Sequence, residues 1–278
     1  MNGPSLFRCP LCGSPLTREE RGCICPARHS FDRAAAGYVH LLPPNRMHSK
    51  APGDDREMVA ARAAFLERGY YAPLRQALEE LVLEASAHLE GPVLLDSGCG
   101  EGYYTAGMFR ALERAGHRPR AAGIDISKYA LRRAAKRLPE GEFAVASAYR
   151  LPLADASADL LTNVFSPLSA EEFARVLRPG GTFLYVVPSA RHLWEMKQVL
   201  YSQPYENPVK ETPYTGFSYQ RIVPVRYEIT LDCPEDIRAL FQMTPYYWKT
   251  PKTGAKRLAD LESLTTRISF RIHIFQKL

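Results

Sequence analysis

The sequence has no long apolar run. No segment of its 278 residues approaches the roughly 18 apolar residues that are needed to cross a membrane. The first residues, "MNGPSLFRCP", also lack the apolar core of a secretory signal peptide. We therefore expect a cytoplasmic protein without a membrane partner. Internal repeats are absent too, and a hydrophobic fraction of 46% is typical of a globular chain with room for one α/β domain and a smaller module.

Cysteine is scarce outside one N-terminal cluster. Four of the six cysteines lie within the first 25 residues, whereas Cys99 and Cys233 stand far apart, so the paired framework of a secreted disulfide protein is missing. A disulfide, a redox pair and a metal site could each explain the cluster, and a reducing cytoplasm favours the metal. Four residues have the spacing of a zinc ribbon, C-x2-C followed by C-x3-H: Cys9, Cys12, Cys25 and His29.

The metal predicted for this cluster is a structural Zn²⁺ ion, because three cysteines and one histidine leave no open coordination position. Cys23 does not fit the spacing and is expected to be a spare or a small buried residue. Most of the net charge of +6 lies in the same region, where the first 50 residues hold seven Lys/Arg and three Asp/Glu. Such a surface attracts polyanions, although an ordinary solvated surface would have the same composition.

A glycine-rich loop follows the first strongly apolar strand. The stretch "PVLLDSGCGEGYYT" contains Asp96 and then Gly98, Gly100 and Gly102, which predicts a strand, a tight turn and a helix whose backbone a ligand can approach closely. A second strand, "RAAGIDIS", ends at Asp125, whose carboxylate can bind both hydroxyls of a ribose. Dinucleotide binders instead have Gly-x-Gly-x-x-Gly, so a nicotinamide-dependent oxidoreductase is the weakest alternative.

Strands and helices alternate along the chain. A linker is expected at Pro43–Met58 and two helical stretches after it; further strands are expected in "EFAVASAYRLP", "SADLLTNVFSP" and "FARVLRPGGTFLYVVP". "SARHLWEMKQVLY" is expected to be helical, Gln203–Tyr219 a loop, and "QRIVPVRYEITL" and "TRISFRIHIF" the last strands. The alternation predicts an α/β fold with a doubly wound sheet, which binds ligands at the carboxyl ends of its strands. The ordered motifs resemble the Rossmann-like class I S-adenosylmethionine-dependent methyltransferases.

Over nearly its whole length the chain resembles the bacterial 23S ribosomal RNA (guanine-N1)-methyltransferases. The stretches that carry the resemblance are "CPLC", "ICPARHSFDRAAAGYVHLL", "PGDDREM" with "AR..FL" after it, "GYYAPLR", "DSGCGEGYYT", "RHLWEMK" and "QMTPYYW". The resemblance implies a small zinc-ribbon domain for RNA recognition over residues 1–42, a linker and packing helices over 43–90, and an S-adenosylmethionine-dependent methyltransferase domain over 91–278. It also implies a homodimer and a hairpin of 23S ribosomal RNA as the partner.

The resemblance also implies site residues that local patterns leave open. On local pattern alone, Tyr71 would be core filler and His192 a helix cap or a surface group. The family match assigns both to cofactor binding instead, and it assigns the zinc to the four residues of the N-terminal cluster. The cofactor-binding residues expected in all are Tyr71, Asp96, Gly98, Gly100, Glu101, Gly102, Asp125 and His192.

Methyl transfer to N1 of guanine places demands on the target. The N1 proton must be lost, and base pairing hides N1 in a duplex, so an unpaired guanine in a hairpin loop is expected. The sequence identifies no residue that handles the proton. Asn163, as a donor to O6 or a ligand of the base edge, and Phe165, as a stacking partner, are the candidates for the catalytic site. The alternatives are a methyltransferase of a small molecule or protein and a non-catalytic RNA-binding protein.

Overall fold

The computed structural model describes residues 3–43, 53–209 and 213–278. Most of the expected linker at Pro43–Met58 and residues 210–212 of the expected Gln203–Tyr219 loop therefore lie outside the described residues. A small antiparallel sheet comes first, with strands in the order β1 (Gly3–Arg8), β2 (Pro15–Arg18), β3 (Gly22–Ile24) and β4 (Ser30–Asp32). Among the helices in the described ranges, none has the length and apolar character of a membrane-spanning segment.

An eight-stranded sheet forms the centre of the fold. Its strands in chain order are β5 (Val39–His40), β6 (Val93–Ser97), β7 (Arg120–Asp125), β8 (Glu142–Val145), β9 (Ala158–Val164), β10 (Leu177–Pro188), β11 (Phe217–Leu231) and β12 (Leu264–Lys277). Their spatial order is β11-β12-β10-β9-β6-β7-β8-β5. The strands from β5 to β10 are parallel, and β12 is antiparallel to both β10 and β11. The predicted doubly wound α/β fold is confirmed.

Helices connect these strands, and short caps determine where two of them begin. The helices are α1 (Arg56–Glu67), α2 (Ala72–Ser86), α3 (Tyr103–Arg114), α4 (Lys128–Arg137), α5 (Ala170–Val176), α6 (Trp194–Leu200), α7 (Pro234–Gln242), α8 (Tyr246–Lys249) and α9 (Lys252–Ala259). The Asp55 carboxylate accepts hydrogen bonds from the first amides of α1, and the Ser127 hydroxyl does the same for α4. Both caps lie near the carboxyl end of β7, where the sequence places the ligand site.

The two faces of the large sheet are covered differently. Alternate side chains of the strands point to opposite faces, so Leu94, Leu160 and Leu184 share one core with residues of α1–α4 and α6–α9. The other core contains Leu95, Leu161, Phe183 and residues of α5. The connection between β8 and β9, which is described throughout, contains no helix on that side.

The small sheet covers part of this second face. Phe7 and Leu16 are buried in the same core as Leu95 and Leu161. The Arg8 amide donates to the Pro152 carbonyl at 2.7 Å. The segment that leaves the small sheet then adds β5 to the edge of the large one. The residues expected to form a separate N-terminal module therefore contribute packing and a strand to the large sheet.

One carboxylate joins the two sheets. Glu142, at the start of β8, is buried and accepts hydrogen bonds from the Ser5 hydroxyl at 2.5 Å and the Leu6 amide at 3.1 Å. The Arg120 guanidinium donates to the same carboxylate at 3.0 Å, and the Arg18 guanidinium lies 3.9 Å away. Strands β1 and β2 are thus tied to the amino ends of β7 and β8.

Three boundaries differ from the sequence-based expectations. The helix expected over residues 189–201 begins only at Trp194, because Leu193 has the left-handed φ of +55° and cannot continue a helix towards the N-terminus. Strand β11 begins at Phe217, inside the loop expected to reach Tyr219. Helix α1 begins at Arg56, where the cap by Asp55 starts it before the expected end of the linker.

Candidate functional site

The four predicted zinc ligands converge on one point. Their ligand atoms all lie within 4.8 Å of one another. Cys12 Sγ is 3.7 Å from Cys25 Sγ, and the Sγ atoms of Cys9 and Cys25 are each 3.5 Å from His29 Nδ1. A tetrahedral zinc ion would separate two sulfurs by about 3.8 Å, and a sulfur from a nitrogen by about 3.6 Å, given the usual bond lengths. The donor atoms therefore fit zinc, with His29 binding through Nδ1.

Two tight turns bring these ligands together. The Gly13 amide donates to the Cys9 carbonyl and the Arg28 amide to the Cys25 carbonyl, each at 2.8 Å. Gly13 and Arg28 both have positive φ, of +74° and +64°, so each short ligand pair curls back on itself. Cys23 lies outside the ligand group, faces Phe31 across β3 and β4, and is buried. Cys23 is therefore a small core residue, and burial raises the pKa of its thiol to about 11.

The three glycines of the loop after β6 differ in what surrounds them, and so in the reason for having no side chain. A Cβ at Gly98 would lie 2.3 Å from the Ser166 side chain, and one at Gly102 would lie 3.0 Å from Ala134 in α4. These two positions need glycine for close approach within the protein as well as for positive φ. Gly100 also has positive φ, of +54°, but the nearest described neighbour of its Cβ would be a guanidinium nitrogen of Arg62 at 3.7 Å. Gly100 thus faces the side from which a ligand can approach the backbone.

Two carboxylates, Asp96, which is buried, and Asp125, which is partly buried, hold the strand ends in place. Asp96 accepts hydrogen bonds from the hydroxyls of Thr105 at 2.5 Å and Thr162 at 2.9 Å, and burial raises its pKa to about 6. Asp125 accepts from the Gly100 amide at 3.0 Å and the Ser127 amide at 2.7 Å, and burial raises its pKa as well. Asp125 therefore links the end of β7 to the glycine loop and lies beside Gly100.

A third acid, Glu101, is buried at the same edge. Its Oε2 atom has no hydrogen-bond partner among the described residues, and burial raises its pKa. Among the described residues, Glu101 forms an ion pair with Arg62 of α1, whose Nη1 lies 3.9 Å from Glu101 Oε2. The sequence-based expectations did not include Arg62. Its signal was the stretch "PGDDREM" and the Ala-Arg pair after it, which indicated family membership but no role.

Aromatic rings form the wall on the other side of the strand ends. The Phe270 ring contacts Tyr71 at 5.1 Å, Phe165 at 4.9 Å and His192 at 4.5 Å between ring centroids. Tyr71 is almost completely buried and also packs against Phe65, whereas Phe165 is 46% exposed. The structure thus brings two of the predicted residues and the stacking candidate around one ring.

The protonation of His192 follows from its surroundings. The Ser269 amide donates to His192 Nδ1 at 3.3 Å, so the neutral ring carries its proton on Nε2. Burial, together with the nearby charge of Lys197, lowers the pKa of His192 to about 3. His192 is therefore a hydrogen-bond donor at neutral pH, and its occupied Nδ1 atom is not available to take up a proton.

Asn163 shapes the tip of β9. Its amide group donates to the Ser97 carbonyl, the Ser166 hydroxyl and the Pro167 carbonyl at 3.3, 2.6 and 3.1 Å. No N–H of Asn163 is left for O6 of a guanine, so the expected donor role does not fit this geometry. Phe165, between these partners, has a φ of +54°, which is uncommon for a residue with a side chain. Asn163 is buried and holds the tip that presents Phe165.

Comparisons with known proteins match both parts of the chain. The family model described as "RlmA, N-terminal", a zinc ribbon, matches residues 7–50, and that of a methyltransferase domain matches residues 95–185. The YxjB protein of Bacillus subtilis (strain 168), named as a 23S rRNA (guanine-N(1)-)-methyltransferase, is 33% identical over 98% of each chain. The 23S rRNA (guanine(748)-N(1))-methyltransferase of Streptomyces fradiae is 40% identical over 70% of this chain and 67% of its own.

A solved structure shows the same fold. The YcgJ protein from Bacillus subtilis superposes with a TM-score of 0.50 over 73% of this chain and 98% of its own, at 17% identity. At that identity the likeness concerns the fold alone. The matched domains and the four-residue ligand group give the cofactors of this enzyme, which are S-adenosylmethionine and a structural zinc ion. Because a relative that spans the whole chain is one-third identical to it, the chain belongs to the 23S rRNA (guanine-N(1)-)-methyltransferase family.

Proposed function

We propose that this protein transfers a methyl group from S-adenosylmethionine to N1 of a guanine in a hairpin loop of 23S ribosomal RNA. The observation that carries the proposal is the meeting of three features at the carboxyl edge of the sheet. These are the open backbone at Gly100, the acids Glu101 (buried) and Asp125 (partly buried), and the exposed ring of Phe165. A cofactor bound at Gly100 and the two acids would have its methyl group near a base that stacks on Phe165.

The polar groups at this edge fit S-adenosylmethionine. Asp125 would bind the ribose hydroxyls, as an acid at the end of the second strand does in related sheets. The unpartnered Oε2 of Glu101 is a ready acceptor for the ammonium group, and Gly100 allows the ligand to reach the backbone. Tyr71 and His192 would border the cofactor, while Asp96, Gly98 and Gly102 would shape the loop. The cofactor supplies an electrophilic methyl group on sulfur.

The chain would contribute mainly alignment and exclusion of water. Holding two reactants in line can lower a barrier by about 7–11 kcal/mol without a covalent enzyme intermediate. Phe165 would stack on the guanine, and Asn163 would act as a positioning residue through the tip of β9. His192, beside the cofactor, would donate a hydrogen bond from its Nε2 atom. We do not assign it the N1 proton, because its pKa of about 3 and its bonded Nδ1 are unsuited to a base.

We further propose that the zinc ribbon holds the RNA while the target base enters the site. Of the basic residues in the first 50, five lie within the described ribbon: Arg8, Arg18, Arg21, Arg28 and Arg33. Guanine N1 is accessible only in an unpaired or flipped base, which fits a hairpin loop. The family resemblance supports domains at 1–42, 43–90 and 91–278 and a homodimer, and a ribosomal RNA substrate supports a cytoplasmic location.

The experiment that tests the proposal is methyl transfer from labelled S-adenosylmethionine to unmodified 23S ribosomal RNA, with the product mapped at single-nucleotide resolution. We expect one N1-methylguanine in a hairpin loop. Asp125→Ala should abolish transfer, whereas Asp260→Ala, at an exposed position, should not change it. A label on a protein or small molecule, or no label on any RNA while the cofactor binds, would contradict the proposal and favour one of the two alternatives.

A further inference from the structure

We propose that Arg62 binds the carboxylate of the methionine moiety of S-adenosylmethionine, and that Asp54 holds the Arg62 guanidinium in place. The proposal rests on the cofactor part of the proposed function and is independent of the RNA target. Neither residue was expected from the sequence to belong to the site. The proposal also makes the short segment before α1 part of the cofactor site.

Arg62 is placed on the open side of the glycine loop. Its Nη1 atom lies 3.7 Å from the position that a Cβ would take at Gly100 and 3.9 Å from Glu101 Oε2. About a quarter of the side chain, 24%, remains accessible. Its other terminal nitrogen, Nη2, donates to a carboxylate oxygen of Asp54. One edge of the guanidinium is therefore held by Asp54, and Nη1, which lies between Glu101 and Gly100, faces the place of a ligand that lies against Gly100.

Asp54 is itself fixed to the end of β7. Its carbonyl accepts a hydrogen bond from the Ser127 hydroxyl at 2.6 Å. Gly53, with a φ of +79°, packs so closely on Ile126 and Ser127 that a Cβ there would lie 2.6 Å from the Ile126 side chain. Asp55 then caps α1. The residues 53–55 thus position α1, and Arg62 with it, against the strand ends that hold the glycine loop.

The charges around Arg62 match an amino acid with both of its ionised groups. Asp54, Glu101 and Asp125 all raise the pKa of Arg62, against the effect of its burial, so the guanidinium is the positive centre of an acidic group. An acidic site of this kind attracts the sulfonium and the ammonium but would repel the carboxylate. The carboxylate and ammonium of an amino acid branch from one carbon. The Arg62 guanidinium and the Glu101 Oε2 atom, which are 3.9 Å apart and share no hydrogen bond, can bind one each.

The test compares two ligands that differ only in the amino-acid part. S-adenosylhomocysteine carries the carboxylate and the ammonium, whereas 5′-methylthioadenosine has neither. Both are titrated calorimetrically into the full chain and into Arg62→Gln, Arg62→Lys and Arg56→Gln. Arg56 is an exposed arginine at the start of the same helix and serves as the matched control.

We expect Arg62→Gln to lower the affinity for S-adenosylhomocysteine by about 10- to 100-fold, which is the usual effect of losing a hydrogen bond to a charged group. The affinity for 5′-methylthioadenosine should change by less than about twofold, because this ligand makes no contact with the guanidinium. Arg62→Lys should restore part of the loss, and Arg56→Gln should behave like the wild type. Melting temperatures of all variants report whether each remains folded.

Three results would overturn the proposal. An equal loss of affinity for both ligands would mean that Arg62 has a purely structural role and neutralises its acidic neighbours. No weakening of either would mean that the carboxylate is bound elsewhere, and no binding of S-adenosylhomocysteine to the wild type would refute the site itself. Failure to methylate RNA while S-adenosylhomocysteine binds with the expected pattern would contradict the proposed RNA target and leave the role of Arg62 standing.

Discussion

Replacement of Glu142 should loosen the zinc ribbon from the large sheet. In Glu142→Ala the Ser5 hydroxyl and the Leu6 amide of β1 lose their acceptor, and Arg120 loses its partner. The Glu142 side chain is only 7% exposed, and its donors Ser5 and Leu6 are partly buried, so water replaces it poorly at this junction. The perturbation is confined to the junction, since Glu142 touches neither the zinc ligands nor the glycine loop.

The size of the expected destabilisation follows from the hydrogen-bond donors that lose their acceptor. A hydrogen bond to a charged group contributes about 1.5–3 kcal/mol, and breaking a buried charged pair costs about 3–5 kcal/mol. Arg120 is nearly half exposed and can be solvated again, so its share is small. We therefore expect Glu142→Ala to lower the free energy of unfolding by about 3 kcal/mol. Glu142→Gln, which keeps an acceptor oxygen, should lower it by about half as much.

Urea denaturation measures this change, and the release of zinc to a chromophoric chelator reports on the ribbon itself. Glu140→Ala is the matched control, because Glu140 is exposed two residues earlier in the chain. We expect faster zinc release in Glu142→Ala and none of these effects in Glu140→Ala. A loss of less than about 1 kcal/mol, equal to that of the control, would refute the assignment of Glu142 as the link between the two sheets.

Three further outcomes can be measured on the purified chain. The pKa of His192 falls from 6.5 to about 3 on folding, so the unfolded chain binds a proton first as the pH drops, and the free energy of unfolding should decrease between pH 6.5 and pH 3. This pH dependence of stability should be absent in His192→Gln, and the same pH dependence in both proteins would contradict the prediction. Gly98→Ala should destabilise the fold more than Gly100→Ala, because both positions have positive φ but only at Gly98 would a Cβ collide with a neighbouring side chain. Gly100→Ala should weaken the binding of S-adenosylhomocysteine; melting curves and titrations would show both effects, and equal losses of stability would refute the distinction. Removal of zinc should lower the melting temperature seen by fluorescence of Trp194 and Trp248, both outside the ribbon, and an unchanged melting curve would show that the large sheet does not depend on zinc.

The main elements could be predicted from the sequence because each has a strong local signal. Apolar runs that end in acids and glycines predict β6 and β7 and the loop after β6, and the structure confirms all three. The zinc ligands follow from spacing, because two short pairs on tight turns can converge without information from the rest of the fold. Periodicity likewise predicts β12, whose alternate residues Ile268, Phe270 and Ile272 share one core.

What could not be predicted depends on contacts between distant segments. Arg62 reaches Glu101 only because α1 is held across the end of β7, and no local pattern records that placement. The composition of residues 189–193 suits a helix, yet the Ser269 amide binds His192 and Leu193 turns the chain. Gly98 looks like a ligand-binding glycine in sequence, but its immediate neighbour is Ser166 of the protein itself.

The zinc ribbon is part of the packing of the large sheet. One face of the large sheet lacks a helix between β8 and β9, a connection that is described throughout, and the ribbon residues Phe7 and Leu16 are part of the core on that face. The chain that leaves the ribbon then pairs with β8 as β5, and the Ala146 amide after β8 bonds to the carbonyl of Asp125. The zinc cluster, the edge of the sheet and the cofactor acid are therefore connected through consecutive packed elements. Since a ribbon of this size has little core of its own, we expect zinc to stabilise both the ribbon and the sheet face that the ribbon covers.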